Sequence, residues 1–142
     1  MKPRTPAVIS AVVEAATGFA LIANPSFVVH LLIGSALSDG GVAIGRVCGF
    51  GLLSLGLACW PSGRVANAQA ISGLFTYNLL AALYIGFLGA VGGFAGFLLW
   101  PACVLHGVLA FLLARPAYQA IRREGSGVEE KIENGFPGKP VG

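Results

Sequence analysis

The sequence predicts an all-α fold: a bundle of four membrane-spanning helices, with a short interfacial helix between the first two. Three observations lead there. Hydrophobic residues fill 56% of the 142 positions and charged residues only 11%, against about 25% charged in a soluble domain. Four apolar runs each approach the ~20 residues that a helix needs to cross the hydrocarbon core. The Lys and Arg residues outside these runs all fall on one side of the resulting bundle, as the positive-inside rule requires. The lipid bilayer is therefore the first partner that the chain implies.

The first run, Pro6 to Ala23, follows Lys2 and Arg4. Those residues resemble the basic start of a signal peptide. However, Glu14 is unfavourable in a signal core and no convincing small-residue cleavage site precedes "NPSF", so a retained helix is expected. In "NPSFVVHLLIG", Asn24 is placed to cap and Pro25 to open a short helix. Its apolar side, Phe27, Val28, Leu31 and Leu32, suits the membrane interface. The second span runs from Gly41 to Trp60, and "WPSGR" then makes a turn. The third run, Ala66 to Leu88, is joined tightly by "GAVGG" to the fourth, Gly93 to Ala114. Beyond Arg115 the composition turns polar, with scattered Gly and Pro. The chain thus divides into a transmembrane domain, residues 1–115, and a mostly flexible tail, residues 116–142. Within the tail a short helix is expected from Ala117 to Glu124.

Lys2, Arg4, Arg64, Arg115, Arg122, Arg123, Lys131 and Lys139 lie on the side of both termini, which places that side in the cytoplasm. The net charge of +3 comes from these flanks. It concerns topology and lipid contact, so nucleic acid is not an expected partner. Cys48, Cys59 and Cys103 fall inside spans without a CxxC pair or metal-ligand spacing. There is no nucleophile–base arrangement and no phosphate loop, so the sequence does not point to an enzyme.

Small residues set the close contacts between helices in lipid. The second span carries Gly41, Gly45 and Gly49 at four-residue spacing, and the first carries Ala7 and Ala11, with Gly18 beyond. These two spans are expected to pack closely, and a homodimer interface is the alternative use of the same stripes.

Ionisable groups at membrane depth are costly and face a protein interior or cavity. At 1.5 Å of rise per residue, Glu14 lies about 12 Å inside the cytoplasmic boundary. Tyr77 and Asn78 lie at roughly 15 to 17 Å, and His106 at roughly 10 to 12 Å. The four share one layer, each beside small neighbours on its own helix. This layer is either a polar clasp that fixes helix register or a proton-coupled site built on a Glu14–His106 pair. On the outer side Arg46 is expected to snorkel toward Asp39 or lipid headgroups or to sit in an external pocket; the alternative is an inward bend toward Glu14, which would need a helix shift to close a depth gap of about 10 Å. His30 belongs to the outer interface, too far in depth from His106 for one subunit to hold a haem between them. A haem would need His106 from two subunits or a different second ligand. A haem or quinone near His106, beside Trp100 and Tyr77, is the cofactor reading.

The segments "GFALIANPSFVVHLLIG", "GRVCGFGLLSLGLACW" and "LLWPACVLHGVLAFLL" together resemble small bacterial four-helix membrane proteins of the broad DoxX-like kind. The likeness covers roughly Ala7 to Arg115 and lies in layout. It implies a multi-pass protein of the bacterial cytoplasmic (inner) membrane. Because some DoxX-like proteins are subunits of quinone-linked complexes or partners of redox enzymes, it also implies an accessory role. It assigns no catalytic residues. Glu14 in "EAATG" is similar to the proton-coupling carboxylate of small multidrug resistance transporters, without the later aromatic and Gly motifs of that family. The leading expectation is an accessory or scaffold subunit, or a homo-oligomer, acting through contacts. The alternatives are a proton-coupled carrier of a small molecule using Glu14 and His106, and the haem or quinone site.

Overall fold

The structure, a computed structural model, describes residues 4–60 and 68–134. They form five helices: α1 (Arg4–Ala23), α2 (Pro25–Ile33), α3 (Asp39–Ala58), α4 (Ala68–Ala90) and α5 (Leu99–Asn134). Four of these contain segments long and apolar enough to cross a membrane: Thr5–Ala23, Asp39–Ala58, Ala68–Ala90 and Leu99–Ala120. A helix satisfies its backbone internally, which is what a segment in lipid must do. The described residues are thus helical without strands, and four of the helices have the length and composition of a multi-pass membrane protein.

The break between α1 and α2 is written into three residues. Pro25 has no N–H with which to continue α1, and it disfavours helical geometry at the residue before it. Asn24 accordingly leaves the helix, at φ −148° and ψ 79°. Its side-chain oxygen accepts a hydrogen bond from Phe27 N at 3.1 Å, which caps α2. At the far end Gly34 adopts φ 73° and its N–H donates to the His30 carbonyl at 2.8 Å. Only a residue without Cβ takes this left-handed turn at no steric cost. A second cap starts α3, where Ser38 Oγ accepts from Gly41 N at 3.2 Å.

Two helix pairs build the bundle. α1 lies along α3, and α4 lies along α5; α1 is also the element that meets both α4 and α5. The first pair is closed by backbone approach. A Cβ at Gly49 would sit 2.8 Å from the Gly18 carbonyl oxygen, and one at Gly56 would collide with the Ala11 carbonyl and Ala15. The stripe Gly41, Gly45 and Gly49 does not face one partner. Gly49 meets α1, Gly45 receives Pro25, and Gly41 lies against Leu37. Ala7 and Ala11 are both buried.

Where α1 crosses the second pair, Ala7, Cys59, Ile71, Leu74, Leu113 and Ala117 form one apolar cluster. The outward faces carry Phe19, Ile44, Val47, Phe50, Leu80, Leu83 and Phe111, all exposed. This distribution is that of a body whose solvent is hydrocarbon.

α5 departs from the sequence expectation at both ends. It starts at Leu99 rather than Gly93, because Gly93 takes φ 68° and the following residues dock onto α2. Leu98 N donates to the Leu31 carbonyl at 2.8 Å. A Cβ at Gly96 would overlap the Leu32 carbonyl. At the other end α5 runs through Pro116 to Asn134, well past the short helix expected over Ala117–Glu124. A proline inside a helix removes one hydrogen bond and crowds the carbonyl four residues back. Buried Leu113 and Ala117, on either side of Pro116, pack into the same cluster and hold the helix together across it. The "WPSGR" turn beyond Trp60 and the last eight positions of the tail lie outside the described residues.

Candidate functional site

One to two turns deeper than the apolar cluster, polar side chains from three helices meet. From α1 come Ser10 and Glu14, one turn apart on the same face and both buried, at 0% and 1% exposure. From α4 comes Asn78, at 0%, and from α5 comes His106, at 9%. Ser10, Asn78 and His106 are linked. Asn78 Nδ2 donates to Ser10 Oγ at 2.6 Å and to the carbonyl of Leu74 at 2.8 Å. Asn78 Oδ1 is 2.8 Å from His106 Nδ1.

The donors and acceptors follow from the Leu74 carbonyl, which only accepts. It fixes the nitrogen end of the Asn78 amide, so the oxygen end must face His106. An amide oxygen also only accepts. His106 Nδ1 therefore carries the proton and donates it to Asn78. In the neutral ring the lone pair then resides on Nε2.

Glu14 lies beside this chain without joining it. Its Oε1 is 3.9 Å from His106 Nδ1, beyond hydrogen-bond range. The single N–H on that nitrogen is already directed at Asn78. Among the described residues Glu14 Oε1 is a buried side-chain oxygen with no hydrogen-bond partner. Tyr77, next to Asn78 on α4, flanks the same carboxyl and interacts with it through its hydroxyl. The Tyr77 ring meets the His106 ring edge to face, with centroids 5.8 Å apart and planes at 79°. Each aromatic ring limits the orientations open to the other.

The structure thus brings together Glu14, Tyr77, Asn78 and His106. The residues placed on the outer side by sequence stay apart from them. Arg46 is exposed on α3 and makes no ion pair with Glu14; His30 is exposed on α2; Asp39 is exposed at the start of α3. An acidic residue there suits the positive end of the helix dipole. No Asp39–Arg46 ion pair forms among the described residues. Sequence reasoning missed Ser10. Its signal was present, because Ser10 precedes Glu14 by one helical turn and so shares its face.

The arrangement has two chemical capabilities. The Ser10–Asn78–His106 chain crosslinks α1, α4 and α5 with satisfied, short hydrogen bonds. The Glu14 carboxyl, fully enclosed and with one oxygen unsatisfied, is a place where a proton or a cationic group would be held. For a haem or a quinone, His106 Nε2 is the ring atom left over, since Nδ1 is committed to Asn78. Compared with protein-family profiles, curated proteins and solved structures, the chain matches none.

Proposed function

We propose that this chain is a non-enzymatic membrane protein that acts through contacts, as an accessory or scaffold subunit of a membrane redox complex or as a homo-oligomer. The observation that supports this reading is the engagement of the Asn78 amide at both ends. Both ends of its amide are used, and its partners sit on all three helices that meet at the cluster. Such a network makes a clasp that holds two helix pairs in one register, the property required of a fixed membrane platform. The DoxX-like layout agrees, because some proteins of that kind serve quinone-linked or other redox complexes. The bacterial inner membrane, cytoplasmic termini and an interfacial position for α2 belong to the same proposal. Purification in native nanodiscs followed by native mass spectrometry tests it. A stoichiometric partner or a defined homo-oligomer is expected. A lone monomer across protein concentrations would overturn it.

A second reading has its own support in Glu14. A buried carboxyl oxygen without a donor is an expensive feature to place in a clasp. It suits a proton-coupled carrier of a small cationic or apolar molecule, with Glu14 as the exchanging group and His106 beside it. In weakly buffered detergent, adding tetraphenylphosphonium would then release protons from the native protein and none from Glu14→Gln. Absence of release from the native protein counts against the carrier.

A further inference from the structure

At the end of the bundle that carries the N-terminus, a groove of about 670 Å³ opens between the start of α1 and the outer face of α5. Pro6, Phe111, Leu112, Arg115, Pro116 and Gln119 line it. It is separate from the polar cluster and does not rest on the readings given above. Its chemistry changes along its length. Phe111, 80% exposed, and Leu112 make an apolar wall on the side toward the membrane interior. Arg115 and Gln119 follow at four-residue intervals from Phe111, on the same face of α5.

The span within α5 ends at Ala120. Arg115 therefore lies about 7 to 8 Å inside that end, within the reach of a headgroup phosphate and a snorkelling side chain. Arg115 makes no ion pair among the described residues, and no carboxylate lines the groove. Its guanidinium presents planar donors suited to a phosphodiester.

Pro116 and Leu112 line the same groove. The groove thus offers a cation for a phosphate and, in Gln119, an amide that can donate to a phosphate oxygen or accept from a hydroxyl. A hydrocarbon wall continues from these groups toward the membrane interior.

We propose that this groove binds one anionic phospholipid of the phosphatidylglycerol class. The phosphodiester pairs with Arg115, the headgroup hydroxyls meet the Gln119 amide, and an acyl chain lies along Phe111. A phosphate ion shares the first contact only; the apolar wall selects the lipid. Arg122, one to two turns further on, is not part of the site. It lies over the Tyr118 ring, 5.4 Å from its centroid.

The test uses the full chain in mild detergent with equimolar phosphatidylglycerol and phosphatidylcholine, read by native mass spectrometry. One phosphatidylglycerol adduct is expected, in excess over phosphatidylcholine. Arg115→Gln is expected to reduce that preference on the order of fivefold, the worth of one cation near an anionic headgroup. Arg115→Lys retains part of it, and Arg122→Gln leaves it unchanged. Equal retention of the two lipids overturns the proposal. So does an equal effect of Arg122→Gln, which would mean diffuse charge, or displacement of the lipid by excess inorganic phosphate, which would mean a free-anion site. Thermal melting of each variant identifies any that fails to fold, and Gln119→Leu then supplies the test, with a reduced preference expected.

Discussion

Asn78 is the residue on which the polar cluster turns, because it alone among the four bonds to groups on both neighbouring helices. Replacing it with Leu leaves the His106 N–H without an acceptor and Ser10 without its donor. The expected cost is about 1 to 2 kcal/mol, the range for leaving buried groups unpaired, tempered by the modest worth of polar contacts in membranes. Ser10→Ala removes one partner of a group that keeps two others, so its cost should be nearer ~0.6 kcal/mol. Thermal unfolding in one detergent, followed by circular dichroism, compares the two; equal losses would remove Asn78 from its central place. Glu14 behaves differently. Its Oε1 accepts no bond, so Glu14→Gln should change stability by less than about 1 kcal/mol. Gln keeps an oxygen for the Tyr77 hydroxyl, so a larger loss in the same melting experiment would show that the carboxyl makes a contact beyond the one with Tyr77. The layer containing Glu14, Tyr77, Asn78 and His106 could be read from helical rise and depth alone. Ser10 could not be singled out that way, because a serine is cheap at membrane depth and does not advertise a partner as a carboxyl does.

Among the elements, the α1–α3 pair depends on backbone approach rather than on side-chain bulk. A side chain at Gly49 would enter the α1 backbone at Gly18 and the Ile22 side chain, whereas a Cβ at Gly51 meets nothing within 4 Å. Gly49→Val should therefore cost about 1 to 3 kcal/mol or more through overpacking. Gly51→Ala should be neutral or stabilising by up to about 1 kcal/mol, as helix propensity favours Ala. The pair of melting curves checks both, and similar curves would mean that α1 and α3 can part without loss. The four-residue Gly spacing in the sequence announced close packing of these helices, yet it could not say that Gly45 faces Pro25 while Gly49 faces α1. That division depends on where α2 turns back, which Asn24, Pro25 and Gly34 set locally and tertiary contact completes. The extent of α5 was hidden for a related reason. Pro116 and the polar residues after it look like a helix stop when only local preferences are weighed. What carries the helix across is burial of Leu113 and Ala117 against residues distant in sequence.

At the scale of the whole molecule, the sequence announces the number of spans more clearly than any other feature, because hydropathy over ~20 residues is a local property with a physical threshold. The pairing α1 with α3 and α4 with α5 follows from chain connectivity once α2 is recognised as too short to cross. The proposed orientation has a different origin, in charge: Arg115 and Arg122 lie toward the C-terminal end of α5, while the loop between α2 and α3 holds no Lys or Arg. On the positive-inside rule that loop is expected on the outer side of the membrane and Arg122 on the cytoplasmic side. This can be checked in a chain whose native cysteines are replaced (Cys48→Ala, Cys59→Ala, Cys103→Ala), carrying either Ser35→Cys or Arg122→Cys, both exposed positions. An impermeant maleimide applied to intact spheroplasts should label Ser35→Cys and spare Arg122→Cys until the membrane is opened. The reverse pattern would invert the topology. Labelling of both in sealed cells would mean that the chain inserts in two orientations. In that case the basic residues would not set its direction, and the lipid groove beside Arg115 would face each leaflet in turn.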